Sequence, residues 1–218
     1  AVLAVAARYR VPFLLASTSE VYGRSQRKAF AEKDDLLIGP PTIPRWSYAC
    51  SKLMDEFLTC AFGKEHGLPI VVARIFNTVG PRQTGAYGMV MPRFIEAAKN
   101  GRLLQVYGRG NQSRCFCYVE QTVEALLRLM PHASAAGPIV NVGGAEEITL
   151  RALADLVIKT LGSKSRVKFV SYERAYGPAF EDMPRRKPVL TKLRRLTALK
   201  TAMPVEEMIK RIAALGCG

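Results

Sequence analysis

With 218 residues, 49% of them hydrophobic and 23% charged, the chain can bury a sizeable core and is not a disordered polymer. A formal charge of +14 raises the question of a polyanionic partner, but the basic residues are dispersed apart from 185–187 and 192–195. No aromatic-interleaved basic strand accompanies them, so no nucleic acid is expected.

No run of about eighteen apolar residues occurs, so no membrane span is expected. The five cysteines, with two histidines, show no zinc-ligand spacing, so no metal and reduced cytosolic thiols are expected.

In chain order, residues 1–10 read as the tail of a buried helix. Residues 11–17 form an apolar run with a polar end, the pattern of a strand buried on both faces. After a loop holding Pro40, Pro41 and Pro44, apolar residues recur at helical spacing over 45–66 (Tyr48, Leu53, Phe57, Ala61), and Gly67 closes the helix. A second buried strand covers 69–75 and ends in the turn-rich stretch "NTVGPRQTGAYG". A helix follows over 89–100. "LLQVYG" and "CFCYV" then read as strands, 121–130 as a helix and 139–143 as a strand. Residues 150–161 form an amphipathic helix stopped by Gly162. "VKFVSY" is a short strand, 173–188 an irregular basic loop, and a last helix starts after Pro204. Strands alternating with helices predict an α/β fold with a parallel sheet.

Ligands in open parallel sheets sit beyond the carboxyl ends of strands. Ser17, Thr18 and Ser19 lie at such an end, as does Asn77 after "VVARIF"; a hydroxyl cluster there also serves simply to cap a turn. Tyr48 and Lys52, spaced i and i+4, share one helix face. A cation beside a phenol favours the phenolate, which makes it a usable base near neutrality. YxxxK alone is common; its weight here comes from following the hydroxyl-rich strand end.

Taken in order, "LLASTSEVYG", "WSYACSK", "ARIFNTVGPR", "VYGRGNQSRCF", "NVG" and "RRKP" resemble the extended short-chain dehydrogenases/reductases, in the branch of NAD-dependent nucleotide-sugar epimerases, dehydratases and decarboxylases. The resemblance covers essentially the whole chain. It implies the C-terminal half of a Rossmann-type doubly wound sheet at 1–79 and a smaller nucleotide-sugar-binding α/β domain at 80–218, with about 115–143 returning to the first sheet.

The same resemblance implies a catalytic set of Thr18, Tyr48 and Lys52. Tyr48 as phenolate would take the proton of the sugar 4-hydroxyl while hydride passes to NAD+. Lys52 would tune Tyr48, and Thr18 would hydrogen-bond the reacting oxygen. Ser17, Tyr48, Lys52 and Ile75 are its implied cofactor contacts. Asn77, Arg82, Arg114 and Arg186 are its implied grip on the diphosphate of a UDP-sugar, since an arginine fork suits phosphate.

Glu20 tilts the reaction towards a UDP-glucuronate decarboxylase. There, oxidation at C4 turns the C6 carboxylate into a β-keto acid, and Glu20 with Arg186 would line the sugar pocket. A 4-epimerase remains open beside it, as does a non-catalytic nucleotide-sugar-binding remnant. The related dehydratases usually carry an aspartate where Ser19 stands, which makes dehydration the weakest of the three reactions. The resemblance further implies a cytoplasmic protein that is a homodimer when full length.

The Gly-rich GxxGxxG turn that such proteins use for the dinucleotide pyrophosphate is absent from the 218 residues. An incomplete sequence is the leading expectation, with gene decay and a split partner beside it. The chain alone is expected to lack NAD-dependent turnover.

Overall fold

The computed structural model describes residues 1–86, 89–177 and 180–216. Tyr87, Gly88, Pro178, Ala179, Cys217 and Gly218, which belong to stretches read above as turns, loop and terminus, lie outside the described residues.

The chain runs through α1 (Val2–Tyr9), β1 (Phe13–Thr18), a 3₁₀ turn (Ser19–Tyr22), α2 (Arg45–His66), β2 (Ile70–Ile75), β3 (Thr78–Val79) and α3 (Val90–Lys99). It continues with β4 (Leu104–Tyr107), β5 (Ser113–Cys115), β6 (Cys117–Tyr118), α4 (Val119–Leu129), β7 (Ile139–Val142) and β8 (Glu147–Thr149). The remaining elements are α5 (Leu150–Thr160), β9 (Val167–Val170), α6 (Tyr172–Tyr176), β10 (Arg185–Arg186), α7 (Thr191–Thr197) and α8 (Val205–Leu215).

Two compact units result. The first comprises Ala1–Phe76, Gln121–Gly143 and Pro188–Thr201. Its sheet is parallel throughout, in the order β1-β2-β7. Helices cover both faces, which is why Ile70 to Arg74 are all buried and the strand reads as a continuous run. On one face α2 packs through Trp46, Ala49, Glu56, Thr59 and Gly63, a stripe at helical spacing. Gly63 is needed there, because a Cβ would stand 2.5 Å from the Ala135 carbonyl. On the other face Val71, Ala73, Val140 and Val142 pack with Ala125 and Leu129 of α4 and Leu193 of α7.

The second unit comprises Asn77–Glu120, Gly144–Lys187 and Ala202–Gly218. Here α3, α5 and α8 enclose a core with Phe94, Ile95, Leu104, Leu153, Met208 and Ile209. Its strands form the sheet β10-β5-β8 and the pairs β3-β6 and β4-β9.

Four local readings differ from the sequence expectation, each for a local reason. The first ten residues do form a helix, but none of α1 is buried: Val2, Val5 and Tyr9 face outward, while Leu3, Ala6 and Ala7 are half-buried. "CFCYV" is broken at Phe116, because Ser113–Cys115 hydrogen-bonds to β8 and β10 whereas Cys117–Tyr118 pairs with β3. "VKFVSY" ends as a strand at Val170, because the Ser171 side chain accepts the Arg174 N–H and starts α6. The irregular loop thereby loses its first turn, and β8, β10 and α7 were too short to stand out.

Candidate functional site

The strand end "STSEVYG" lies in the first unit, and its hydroxyls do different work. Ser17, Arg74 and Asn141 are in register across β1, β2 and β7, forming one polar row at the carboxyl end of an apolar sheet. The row is buried, so every group needs a partner. Glu56 of α2 supplies the charge: its carboxylate accepts the Ser17 hydroxyl at 2.5 Å and the Arg74 guanidinium at 2.7 to 3.2 Å. The Tyr22 hydroxyl completes the chain, accepting from Arg74 at 3.1 Å and donating to Asn141 Oδ1 at 2.7 Å. Asn141 in turn donates from Nδ2 to the Phe30 carbonyl at 2.9 Å. Burial pushes the Tyr22 phenol up to about 12, against the lowering by Arg74.

Strand alternation turns Thr18 to the opposite face from Ser17. Its hydroxyl accepts the Glu20 N–H at 3.3 Å and caps the 3₁₀ turn. Glu20 reaches Arg45, the first residue of α2, at 3.8 Å. The strand end is therefore fastened to α2 at two points, through Glu20–Arg45 and Ser17–Glu56. Tyr48 and Lys52 lie between those points on the helix. Tyr48 is 52% exposed. The Lys52 ammonium is salt-bridged to Asp55 at 3.1 Å. Ile75 ends β2 in register with Thr18 and packs against the core beneath α4 and α7.

The residues present thus fit the nicotinamide end of NAD: an accessible phenol and a lysine one turn apart, beside a hydroxyl-bearing strand terminus. Sequence reasoning passed over Glu56, Arg74, Tyr22 and Asn141. The signal available was the arginine standing inside the apolar run "PIVVARI".

The residues expected to grip a diphosphate lie in the second unit. Asn77 donates from Nδ2 to the Cys115 carbonyl at 3.3 Å. Arg82 is exposed, with a left-handed backbone (φ 63°) and its N–H on the Gly216 carbonyl at 2.9 Å. Arg114 and Arg186 are brought together as a registered pair on β5 and β10, which puts their side chains on one sheet face. The basic triplet at 185–187 is sorted by the same alternation. Arg185 and Lys187 turn to Glu147, at 2.7 and 3.2 Å, and leave Arg186 beside Arg114. Burial opposes the Glu147 charge, but the Ser113 hydroxyl and the Lys187 and Arg185 cations outweigh it and hold this carboxyl below its usual range. Burial also pushes the Cys115 thiol up to about 12, which makes it a poor nucleophile.

Among the described residues no group of three metal-ligating side chains occurs, and no helix is long and apolar enough to cross a membrane.

Residues 1–143 match the model of the NAD dependent epimerase/dehydratase family. The chain is 38% identical over 210 residues to a UDP-N-acetyl-alpha-D-glucosaminuronate decarboxylase of Bacillus cytotoxicus, covering 96% of this chain and 64% of that protein. It is 36% identical over 209 residues to UDP-glucuronic acid decarboxylase 1 of Xenopus tropicalis, covering 96% of this chain and 48% of that one. The chain therefore spans about half to two-thirds of these relatives.

Among solved structures, a UDP-N-acetylglucosamine 4-epimerase of Methanobrevibacter ruminantium superposes with a TM-score of 0.83 at 26% identity, covering 97% of this chain and 65% of that one. A dTDP-glucose 4,6-dehydratase of Bacillus anthracis in complex with NAD gives 0.83 at 22% identity over 98% of this chain and 64% of that one, which shows the shared Rossmann-type fold. By its parallel sheet and these matches, the chain belongs to the NAD-dependent epimerase/dehydratase family.

Proposed function

We propose that the chain carries the sugar-oxidising site and the diphosphate grip of an NAD-dependent UDP-sugar enzyme, a decarboxylase that converts UDP-glucuronate to UDP-xylose. The observation that carries this reading is the double fastening of the strand end to α2 on either side of Tyr48 and Lys52. It supports Tyr48 as the base that takes the proton of the sugar C4 hydroxyl. Lys52 stabilises the phenolate that does so, and Thr18 hydrogen-bonds the same oxygen. The oxidising power comes from NAD when it is bound, and Tyr48 and Lys52, with Ser17 and Ile75, are the groups we assign to its nicotinamide end.

Once C4 is a ketone, the C6 carboxylate is a β-keto acid: its C–C bond breaks, CO2 leaves, and the electron pair moves into the enolate at C4–C5, which takes up a proton at C5. Hydride given back to C4 and the Tyr48 proton given back to its oxygen then yield UDP-xylose. Glu20 is assigned to this stage. In the second unit Asn77, Arg82, Arg114 and Arg186 hold the diphosphate. The two decarboxylases at 38% and 36% identity support this fate of the ketone. A 4-epimerase is the second reading, favoured by the 26% match to an enzyme of that name. The reading also makes the protein a cytoplasmic homodimer; exposed Met54, Phe57 and Leu58 on α2 support self-association.

The test incubates the chain with NAD+ and UDP-glucuronate, alone and joined to the part of the Bacillus cytotoxicus relative that it does not cover. Product mass decides the outcome. Loss of CO2 from the joined protein, abolished by Tyr48→Phe, is expected. A mass-neutral product inverted at C4 would turn the assignment to the epimerase. Binding of UDP-glucuronate with no conversion would refute the catalytic reading.

A further inference from the structure

Arg114 is 5% exposed, and both of its terminal nitrogens are engaged inside the second unit. Nη1 donates to the carbonyls of Ser113 and Met183, at 2.8 and 2.9 Å. Nη2 donates to both carboxylate oxygens of Asp182, each at 2.9 Å. Asp182 belongs to the segment between α6 and β10, and three further features show how it is held. Its Oδ2 accepts the Tyr172 hydroxyl at 3.2 Å, its Oδ1 accepts the Met183 N–H at 2.8 Å, and its side chain keeps 14% of its surface in solvent.

Charge explains why a carboxylate stands there. Arg114 and Arg186 are registered neighbours on one sheet face, and a buried guanidinium without an anion is strongly unfavourable. Asp182 supplies that anion from within. Its O–C–O edge offers a guanidinium the same pair of acceptors as the O–P–O edge of a phosphate. A diphosphate brings an equivalent charge from outside, so the two anions compete for one cation.

We infer that Asp182 is a latch, an internal stand-in for a ligand phosphate that occupies Arg114 until a nucleoside diphosphate displaces it. This rests on the assignment of Arg114 to the diphosphate grip made above. Displacement frees the Tyr172 hydroxyl and the Met183 N–H along with the guanidinium. The closed latch lowers apparent affinity by the fraction of time Arg114 is available; a latch closed about nine-tenths of the time weakens binding about tenfold.

The experiment titrates UDP and inorganic pyrophosphate into the full chain and its Asp182→Asn and Arg114→Gln variants by calorimetry. In parallel, amide hydrogen exchange of Met183 is followed in the unsubstituted chain with and without UDP. Asn keeps a carbonyl for the Met183 N–H but loses the competing charge. Expected are binding of both ligands about tenfold tighter in Asp182→Asn, at least tenfold weaker in Arg114→Gln, and faster Met183 exchange when UDP is added. Unchanged or weaker binding in Asp182→Asn, or slower Met183 exchange with UDP, overturns the latch and makes Asp182 a fixed brace. The exchange arm needs no substitution, so it decides even if a variant folds poorly. If Arg114→Gln binds UDP as the unsubstituted chain does, it is the assignment of Arg114 to the diphosphate that falls, and the latch falls with it.

Discussion

Replacing Arg74 by Met isolates what the polar row at the strand ends contributes. The substitution keeps an unbranched side chain inside β2, two atoms shorter, but removes the cation from the buried Glu56 carboxylate, whose side chain is 4% exposed. Removing one partner of a buried ion pair costs about 3 to 5 kcal/mol, because the other charge stays behind. Arg74 also donates to the Tyr22 hydroxyl and the Glu32 carbonyl, at 3.1 Å each. Even without those further losses, about 4 kcal/mol is the central value. At a urea slope of about 2 kcal/mol per molar, the midpoint falls by about 2 M.

Trp46, the single tryptophan, is buried on α2 in the same unit, so its fluorescence reports this transition. The double variant Arg74→Met with Glu56→Leu removes both charges and should regain most of the loss, since a buried pair exchanged for apolar groups is often neutral. A midpoint for Arg74→Met within about 0.5 M of the unsubstituted chain would refute the reasoning, because a loss under about 1 kcal/mol means the carboxylate is not held by this pair.

Three further outcomes follow from the same geometry. The Tyr22 phenol is raised in the folded state, so between about 10 and 12 the folded chain holds a proton that the unfolded chain has released. Its contribution is present below pH 10, falls as pH rises through that window, and amounts to about 3 kcal/mol. Stability curves of Tyr22→Phe and the unsubstituted chain should therefore converge by that amount above pH 10; parallel curves would be the contrary result. Gly63→Ala places a methyl 2.5 Å from the Ala135 carbonyl and should cost about 1 to 3 kcal/mol in the Trp46 urea melt, with no loss contradicting the close approach of α2 to the segment before β7. Asp55→Asn removes the carboxylate that Lys52 engages. On the role proposed for Lys52 it should raise kcat of the joined enzyme at neutral pH, and an unchanged kcat would count against that role.

The sequence carried the elements whose signals are local. Both ends of α2 were legible because Pro44 and Gly67 bracket it, and β2 was legible because burial on both faces leaves an unbroken apolar run. That Tyr48 and Lys52 share one face of a helix was legible from their spacing, and both lie on α2. Pairings across the chain were not visible. Arg74 finds its charge 18 residues away on Glu56, and Tyr22 finds Asn141 at a separation of 119. The break in "CFCYV" depends on which strands accept each half. Strand register, set by non-local hydrogen bonds, likewise decided which of three consecutive cations stands beside Arg114.

That sorting has a consequence for how the segment before β10 tolerates change. Because 185–187 are all cationic, a one-residue insertion or deletion upstream would slide the frame and still set a positive side chain opposite Arg114, while another would remain within reach of Glu147. The run of three acts as a margin against slippage: the length of the connecting segment can drift by a residue in either direction without emptying that face of charge.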